Sequence, residues 1–94
     1  MIISVAHKGL ERFWDESDPS GLPVADLNKI TRILHLLDML TCLEPLRKIK
    51  GYPMRALSGK LEGYWAIVVS ANYRMIFKFI GSNVYVLNYI DYHS

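Results

Sequence analysis

Residues 62–93 read EGYWAIVVSANYRMIFKFIGSNVYVLNYIDYH, and the rest of the chain is organised around them. It contains β-branched and aromatic runs at 63–69, 73–80 and 84–90, a composition typical of β-strands. The last two runs are joined by Gly81, Ser82 and Asn83, a short link that suits a hairpin with a left-handed position. The sequence therefore predicts a three-stranded antiparallel meander.

The middle run of the meander alternates between two faces, because successive side chains of a strand point in opposite directions. One face is fully apolar, whereas the other carries two cations. The two sets are Met75, Phe77 and Phe79 on the first face, and Arg74, Ile76 and Lys78 on the second.

The residues before the meander predict helices and two further strands. Residues 2–6 are a short apolar segment, interpreted as a strand beside the meander, and 52–57 predict an edge strand containing Pro53. Leu10, Phe13 and Trp14 form one apolar stripe, so a helix is predicted over 8–16 with Trp14 in the core.

A longer helix should follow Pro23, with Pro23 as its first residue and Asp26 in its first turn. Glu44 and Pro45 should end it, His35 should be solvated on its polar side, and Arg47 to Gly51 should form a basic link. The predicted class is α+β, in the order β-α-α-β-β-β-β. Two N-terminal helices pack on one face of a mainly antiparallel four- to five-stranded sheet.

Composition predicts one domain over residues 1–94, with opposite charge in its two halves. Residues 1–46 hold four Lys and Arg against seven Asp and Glu, whereas residues 47–94 hold seven against two. A basic sheet half favours a polyanionic partner, although scattered cations are also typical of an ordinary soluble face.

Cys42 is the single cysteine, which excludes an intrachain disulfide and fits the cytoplasm; it is interpreted as a buried residue at a helix end. No signal peptide and no membrane-spanning run is expected.

The chain ends on an acid, a phenol and an imidazole, namely Asp91, Tyr92 and His93. No Gly-rich phosphate loop and no metal-ligand spacing is present, so neither a metal nor a cofactor is expected, and a Ser-His-Asp triad stays open. Metal-free RNA cleavage needs a group for proton transfer and a fixed cation at the phosphate. His93 could transfer protons near neutral pH, and Arg74 could bind phosphate oxygens. The alternative is a frayed C-terminal histidine and an ordinary strand cation.

Four segments together resemble the HigB-type toxins of the RelE/ParE superfamily. They are His7-Lys8-Gly9-Leu10, Gly59-x-x-Glu62-Gly63-Tyr64-Trp65-Ala66-Ile67, Asn72-Tyr73-Arg74-Met75-Ile76-Phe77 and Leu87-Asn88-Tyr89-Ile90-Asp91-Tyr92-His93. The resemblance implies a RelE-like toxin of a type II toxin–antitoxin system. Such a toxin enters the A site of the 70S ribosome and cuts mRNA there by 2′-OH attack with acid–base catalysis. A HigA-like helix-turn-helix antitoxin would hold it inactive and carry the complex to operator DNA.

Carried over residue by residue, the resemblance gives a catalytic set of Arg74, Asp91, Tyr92 and His93. The cations assigned to RNA phosphates are Lys50, Arg55, Lys60 and Lys78. The family commonly has His-x-Leu-Lys-Gly before the loop, where this chain has Arg55-Ala56-Leu57-Ser58-Gly59. Arg55 thus stands at the histidine position and Ser58 at the lysine position.

Two other functions stay open. A ParE-like protein would block DNA gyrase by binding, without RNA chemistry. A catalytically weakened domain would only bind the antitoxin or RNA, and the departures at Arg55 and Ser58 keep this possibility open.

Overall fold

The computed structural model describes residues 1–48 and 54–91, which form an α+β fold around a four-stranded sheet. The helices are α1 (Lys8–Glu16), α2 (Leu27–Met39) and α3 (Glu44–Lys48); the strands are β1 (Met54–Ala56), β2 (Trp65–Val68), β3 (Tyr73–Ile80) and β4 (Asn83–Asp91). Short 3-10 turns occupy Val24–Asp26 and Gly59–Leu61. No helix in the described ranges has the length and apolar character needed to cross a membrane.

The strands follow one another in space in the order β1-β2-β3-β4, and every pair is antiparallel. The predicted meander of β2, β3 and β4 is therefore confirmed. The predicted edge strand is confirmed at Met54–Ala56, and the beginning of that prediction, Tyr52 and Pro53, lies outside the described residues.

The N-terminal segment lies parallel to β4, beside the meander as predicted, but it does not form the predicted strand. Ile2 pairs with Val84 and Val5 with Leu87 through isolated bridges. Between these bridges β4 contains a bulge, since Ile76 lies opposite Asn88 but Lys78 lies opposite Tyr85.

Val86 occupies the bulge with a φ of 48°, an unusual value for a β-branched residue. Its N–H donates to Ser4 Oγ at 2.8 Å. The bulge and the N-terminal segment therefore depend on each other.

Helix α1 has the predicted bounds, and its first turn is capped by His7, whose Nδ1 accepts the Leu10 N–H at 3.0 Å. The start of α2 differs from the prediction. Pro23 precedes the 3-10 turn Val24–Asp26, and α2 begins only at Leu27. Asp26 makes no side-chain cap, because its carboxylate is engaged elsewhere, with Tyr89 and Ser70.

Three sequence expectations between α2 and β1 are wrong. Helix α2 ends at Met39, and Pro45 lies inside α3, where a first-turn residue needs no N–H donor. The predicted link from Arg47 is helical up to Lys48, and the rest of that link lies outside the described residues. Cys42 is exposed rather than buried, because it lies in the bend between α2 and α3 while Leu40 and Leu46 enter the core.

The core lies between the helices and one face of the sheet. Trp14 was predicted to lie in the core, but it is only partly buried and packs against the core from its edge. His35 is exposed, as predicted, with its ring edge-on to Trp14 at 5.9 Å. Phe79 is partly buried against the core, and the fully buried members include Leu10, Ile30, Ile33, Leu37, Ile67, Met75, Phe77, Val84 and Leu87. The predicted apolar face of β3 therefore faces the helices.

Candidate active site

The start of β3 lies beside the end of β4, which brings two of the predicted catalytic positions to one end of the sheet. Tyr73 pairs with Asp91, and Arg74 pairs with Ile90. Since paired residues share a face and neighbours alternate, the register position of Asp91 lies on the helix side and that of Arg74 on the other side. Tyr92 and His93 follow Asp91 directly, but they lie outside the described residues, as does Lys50.

The Arg74 guanidinium is held by the turn that connects β2 to β3. Its Nη1 donates to the carbonyl oxygens of Ser70 at 2.9 Å, Tyr73 at 3.1 Å and Ala71 at 3.5 Å. The side chain is partly buried. These backbone carbonyls hold the guanidinium in a fixed orientation, and an oriented guanidinium is a group that binds phosphate oxygens.

We call the side of the sheet opposite the helices the open face. Arg55 pairs with Ala66, and Ala66 pairs with Ile76, so these residues cross the open face in one row. Arg74 and Lys78 lie two positions from Ile76 on β3 and therefore belong to the same face. The predicted alternation of β3 is confirmed, and it gathers Arg55, Arg74 and Lys78 on one surface.

The cations on the open face differ in how firmly they are held. Arg55 is exposed, whereas the Lys78 ammonium lies 5.1 Å from the centre of the Tyr64 ring, in cation–π contact. Lys60 is exposed in the 3-10 turn Gly59–Leu61 rather than on a strand. Arg74 and Lys78 are separated by four residues of strand, or about 13 Å, so the open face can contact more than one phosphate.

The open face has an apolar floor beneath these cations. Ala66 and Ile76 are only 5% and 4% exposed, yet neither belongs to the core on the helix side. Longer side chains around them therefore exclude water from the middle of the open face. Electrostatic interactions between a cation and a phosphate are stronger where water is excluded.

A polar cluster behind the site was not predicted from the sequence. The Tyr89 hydroxyl donates to Asp26 Oδ2 at 2.5 Å, and the Ser70 hydroxyl donates to the same oxygen at 3.4 Å. The Tyr89 ring stacks on Tyr73, with 4.7 Å between ring centres and 4° between ring planes, and meets His7 edge-on at 5.8 Å. Asp26 and Tyr89 are 63 positions apart, so no local pattern could have indicated their contact.

Burial and hydrogen bonding set the protonation of this cluster. Burial, followed by the hydrogen bond and charge of Asp26, raises the pKa of Tyr89 far above its usual value. Burial lowers the pKa of His7, which matches its role as an acceptor through Nδ1. Tyr89 therefore stays a donor and His7 stays neutral near neutral pH.

Within residues 1–48 and 54–91, no group of three His, Cys, Asp or Glu side chains is placed to hold a metal ion. The described residues instead offer cations and hydrogen-bond donors. Such groups can bind a polyanion and stabilise negative charge during a reaction.

Helices on one face of an antiparallel sheet, with cations on the other, define the RelE-like class predicted from the sequence. Residues 3–93 match the family described as the RelE-like toxin of type II toxin–antitoxin system HigB. Endoribonuclease HigB of Proteus vulgaris is 41% identical over 93 residues, which cover 99% of this chain and 100% of that protein. Toxin HigB-1 of Vibrio cholerae is 31% identical over 95 residues, covering 100% of this chain and 99% of that one. The chain belongs to the HigB family of toxins.

Proposed function

We propose that this toxin is an endoribonuclease, a single domain over residues 1–94, that cuts mRNA in the A site of the 70S ribosome. The observation that carries the proposal is the positioned guanidinium of Arg74 beside the end of β4. The Proteus vulgaris relative, named an endoribonuclease, supports it, because the two chains align over essentially their whole length.

The proposed reaction breaks the bond between phosphorus and the 5′ oxygen of the next nucleotide. The 2′-OH loses its proton and its oxygen attacks the phosphorus, while the leaving 5′ oxygen gains a proton. Arg74 stabilises the charge that builds up on the phosphate oxygens. His93 and the two residues beside it, Tyr92 and Asp91, accept the proton of the 2′-OH and supply the proton of the leaving 5′ oxygen, so the products are a 2′,3′-cyclic phosphate and a free 5′-OH.

The remaining cations bind the RNA backbone. Arg55 and Lys78 lie on the open face, Lys60 lies in the turn before β2, and Lys50 belongs to the basic segment before β1. Contacts to phosphates position an RNA without reading its sequence. In this proposal, these residues hold the message while Arg74 contacts the phosphate that is cut.

A type II toxin has an antitoxin partner. We propose a HigA-like helix-turn-helix antitoxin that binds this toxin in the cytoplasm and carries the complex to operator DNA. Arg32 and His35 are exposed on α2, on the opposite side of the molecule from the open face. If the antitoxin covers the helices, substitutions at Arg32 and His35 weaken its binding while Arg74→Ala does not; the reverse result places the antitoxin over the open face.

The test is growth arrest and mapping of mRNA ends after induction of the toxin without antitoxin. Cuts in translated messages are expected for the natural chain. His93→Ala should lower cleavage by about 10²–10⁴-fold, the usual contribution of a general acid or base. Arg74→Ala should cost roughly 3–4 kcal/mol of transition-state stabilisation, similar to the loss of a fixed donor in other enzymes.

Arg32→Ala is the matched control, because it removes an exposed arginine from the helix side. It should cleave normally, and thermal melting should show that all variants are folded. If folded His93→Ala and Arg74→Ala both cleave like the natural chain, the assigned site is wrong. DNA damage without mRNA cuts would indicate a gyrase inhibitor, and neither effect would indicate a domain that only binds.

A further inference from the structure

Asp26 is placed where a helix cap is expected, but its carboxylate is directed to the sheet instead. It lies at the junction between the 3-10 turn and α2 and forms no side-chain cap. Its Oδ2 accepts hydrogen bonds from the hydroxyls of Ser70 and Tyr89, on two different parts of the sheet. One carboxylate oxygen therefore connects the start of α2 both to the turn between β2 and β3 and to strand β4.

The first connection leads from Asp26 to Arg74 through one residue. The Ser70 hydroxyl donates to Asp26, while the Ser70 carbonyl oxygen accepts the Arg74 guanidinium at 2.9 Å, the shortest of the three contacts of Nη1 described above. The backbone of the same turn is closed by the N–H groups of Val69 and Ser70, both donating to Tyr73 O. A shift of Ser70 would therefore move the oxygen that orients the guanidinium.

The second connection leads from Asp26 to the end of β4. Tyr89 is 6% exposed, and its ring is stacked on Tyr73, the residue directly before Arg74. Tyr73 pairs with Asp91, two residues beyond Tyr89. The hydrogen bond to Asp26 thus anchors both strands, from the helix side, at the level of the candidate site.

We propose that Asp26 is a positioning residue for catalysis, which holds Arg74 and the end of β4 in register through Ser70 and Tyr89. This inference rests on the proposed function. Asp26 does not touch the RNA in this proposal, because it lies on the helix side of the sheet. Its loss should therefore lower the rate of the chemical step more than it weakens binding of the ribosome and message.

The experiment compares Asp26→Ala with Asp38→Ala in cleavage of mRNA on purified ribosomes, at a temperature where melting curves show both variants folded. Asp38 is a matched control, since it is also a half-buried aspartate of this region and its Oδ1 accepts the Ile2 N–H at 3.0 Å. Ile2 lies beside the start of β4, at the other end of that strand from the candidate site. Both substitutions remove one tertiary anchor, but only Asp26→Ala removes an anchor of Arg74.

Asp26→Ala should lower kcat about 10- to 100-fold with KM changed less than about threefold, since a small misplacement of a catalytic group has effects of this size. Asp38→Ala should keep the natural kcat. If folded Asp26→Ala has the natural kcat, or if the two variants lose kcat equally, the inference is wrong.

Tyr89→Phe and Ser70→Ala provide a second test that does not depend on the folding of Asp26→Ala. Each removes one hydroxyl and preserves the remaining shape, so each should lower kcat while KM stays nearly constant. Combining Tyr89→Phe with Asp26→Ala should add little to the single effects, because both remove the same contact. Full additivity, or natural kcat in both single variants, would overturn the proposal.

NMR signals of the Arg74 side chain separate this inference from the proposed function. Asp26→Ala should shift and broaden the Nη signals of Arg74, and Asp38→Ala should leave them in place. If the natural protein does not cut mRNA, the proposed function fails, and unchanged Arg74 signals in Asp26→Ala would then reject the positioning role independently.

Discussion

Arg74 and Arg55 show how the same residue type can have different roles on one sheet face. The Arg74 guanidinium is oriented by three backbone carbonyls, whereas Arg55 is exposed on the edge strand β1. A fixed charge costs little reorganisation when negative charge develops, but a mobile charge must first be ordered. In the proposed function, Arg74 therefore stabilises the transition state and Arg55 attracts the RNA backbone.

Arg55 also stands where the HigB-type motif has a histidine, which leads to a prediction. Arginine stays protonated near neutral pH and cannot exchange protons, whereas histidine can. We expect Arg55→His to raise the cleavage rate, by up to about 10²-fold if a missing acid or base limits the reaction. Single-turnover cleavage on ribosomes measures this, with Arg55→Lys as a control that changes the side chain without adding a proton-transfer group. An unchanged or lower rate in Arg55→His would show that this position does not limit the chemistry.

His7 should make the stability of the fold depend on pH. Burial lowers its pKa in the folded state below the ordinary value of 6.5, and its Nδ1 must stay unprotonated to accept the Leu10 N–H. Between pH 6.5 and the lowered pKa, the unfolded chain binds a proton that the folded chain does not. The contribution of His7 to the free energy of unfolding is therefore fully present above pH 6.5 and is lost as the pH falls through the lowered pKa.

The measurement is chemical denaturation of the natural protein and of His7→Asn between pH 7.5 and 5. Asparagine keeps a capping acceptor but does not titrate. As the pH falls, the free energy of unfolding should decrease more for the natural protein than for His7→Asn. The other titrating groups are the same in both proteins, so their effects cancel in the difference. A difference independent of pH would contradict the assignment of His7 as a neutral cap.

At the level of elements, α1 is pressed against the loop that follows it. A Cβ built on Gly9 would lie 2.6 Å from Gly21 O and 3.0 Å from Gly21 C. These are backbone atoms, so they cannot move away as the end of a flexible side chain would. Gly9 therefore permits a close approach between helix and loop that any other residue would prevent.

Gly9→Ala should lower the free energy of unfolding by about 1–3 kcal/mol, the usual effect of overpacking. Helix propensity acts in the opposite direction, because alanine is favoured over glycine by about 1 kcal/mol inside a helix. Urea denaturation of Gly9→Ala measures the net result. The exposed Lys8→Ala, one residue earlier, should stay within about 0.5 kcal/mol of the natural protein. A stabilised Gly9→Ala would show that the loop moves away at little cost.

The β4 bulge is an element-level feature with a consequence for the site. The extra residue at Val86 shifts the pairing of β3 and β4 between the hairpin end and the site end. As a result, Val84 and Leu87, three residues apart, both face the core, and Tyr89 reaches Asp26. Without the bulge, a strict two-residue alternation from Val84 would place Leu87 and Tyr89 on the open face.

At the scale of the whole molecule, the acidic and basic halves of the sequence correspond to different layers of the fold. The helices come from residues 1–48, and the sheet comes from residues 54–91, where Arg55, Arg74 and Lys78 share the open face. A surface of this kind attracts a polyanion from a distance and orients its approach. In the proposed function, this polyanion is the ribosome with its message.

Ribosome binding should consequently depend on salt. With about four phosphate contacts, the affinity should fall with salt at a log–log slope of roughly −3 to −4. Lys60→Ala should reduce the slope by about 1, whereas Arg32→Ala, on the helix side, should not change it. Sedimentation with ribosomes at several salt concentrations measures both, and an affinity independent of salt would exclude an electrostatic open face.

Local patterns in the sequence were sufficient for the meander, the α1 helix and the sorting of β3 into two faces. These features depend on contacts between near neighbours, and the periods of 2 and 3.6 residues are visible in any short stretch. The position of Arg74 beside the end of β4 follows from the same information, because antiparallel hairpins place the start of one strand beside the end of the next. The resemblance to HigB-type toxins then indicated which cation to select.

Features that depend on contacts between distant residues became visible only in the folded chain. Cys42 was predicted to be buried, but Leu40 and Leu46 occupy the core positions and Cys42 is exposed. Which of these side chains is buried depends on the path of the whole loop between α2 and α3. Asp26 was interpreted as an ordinary first-turn acid, and its contacts with Ser70 and Tyr89 bring together residues 44 and 63 positions away. The folding of the complete chain brings such partners together, since no period in a single segment encodes them. The hydrogen bonds that connect Asp26, Ser70, Tyr89 and Arg74 are therefore a property of the fold, although each residue is visible in the sequence.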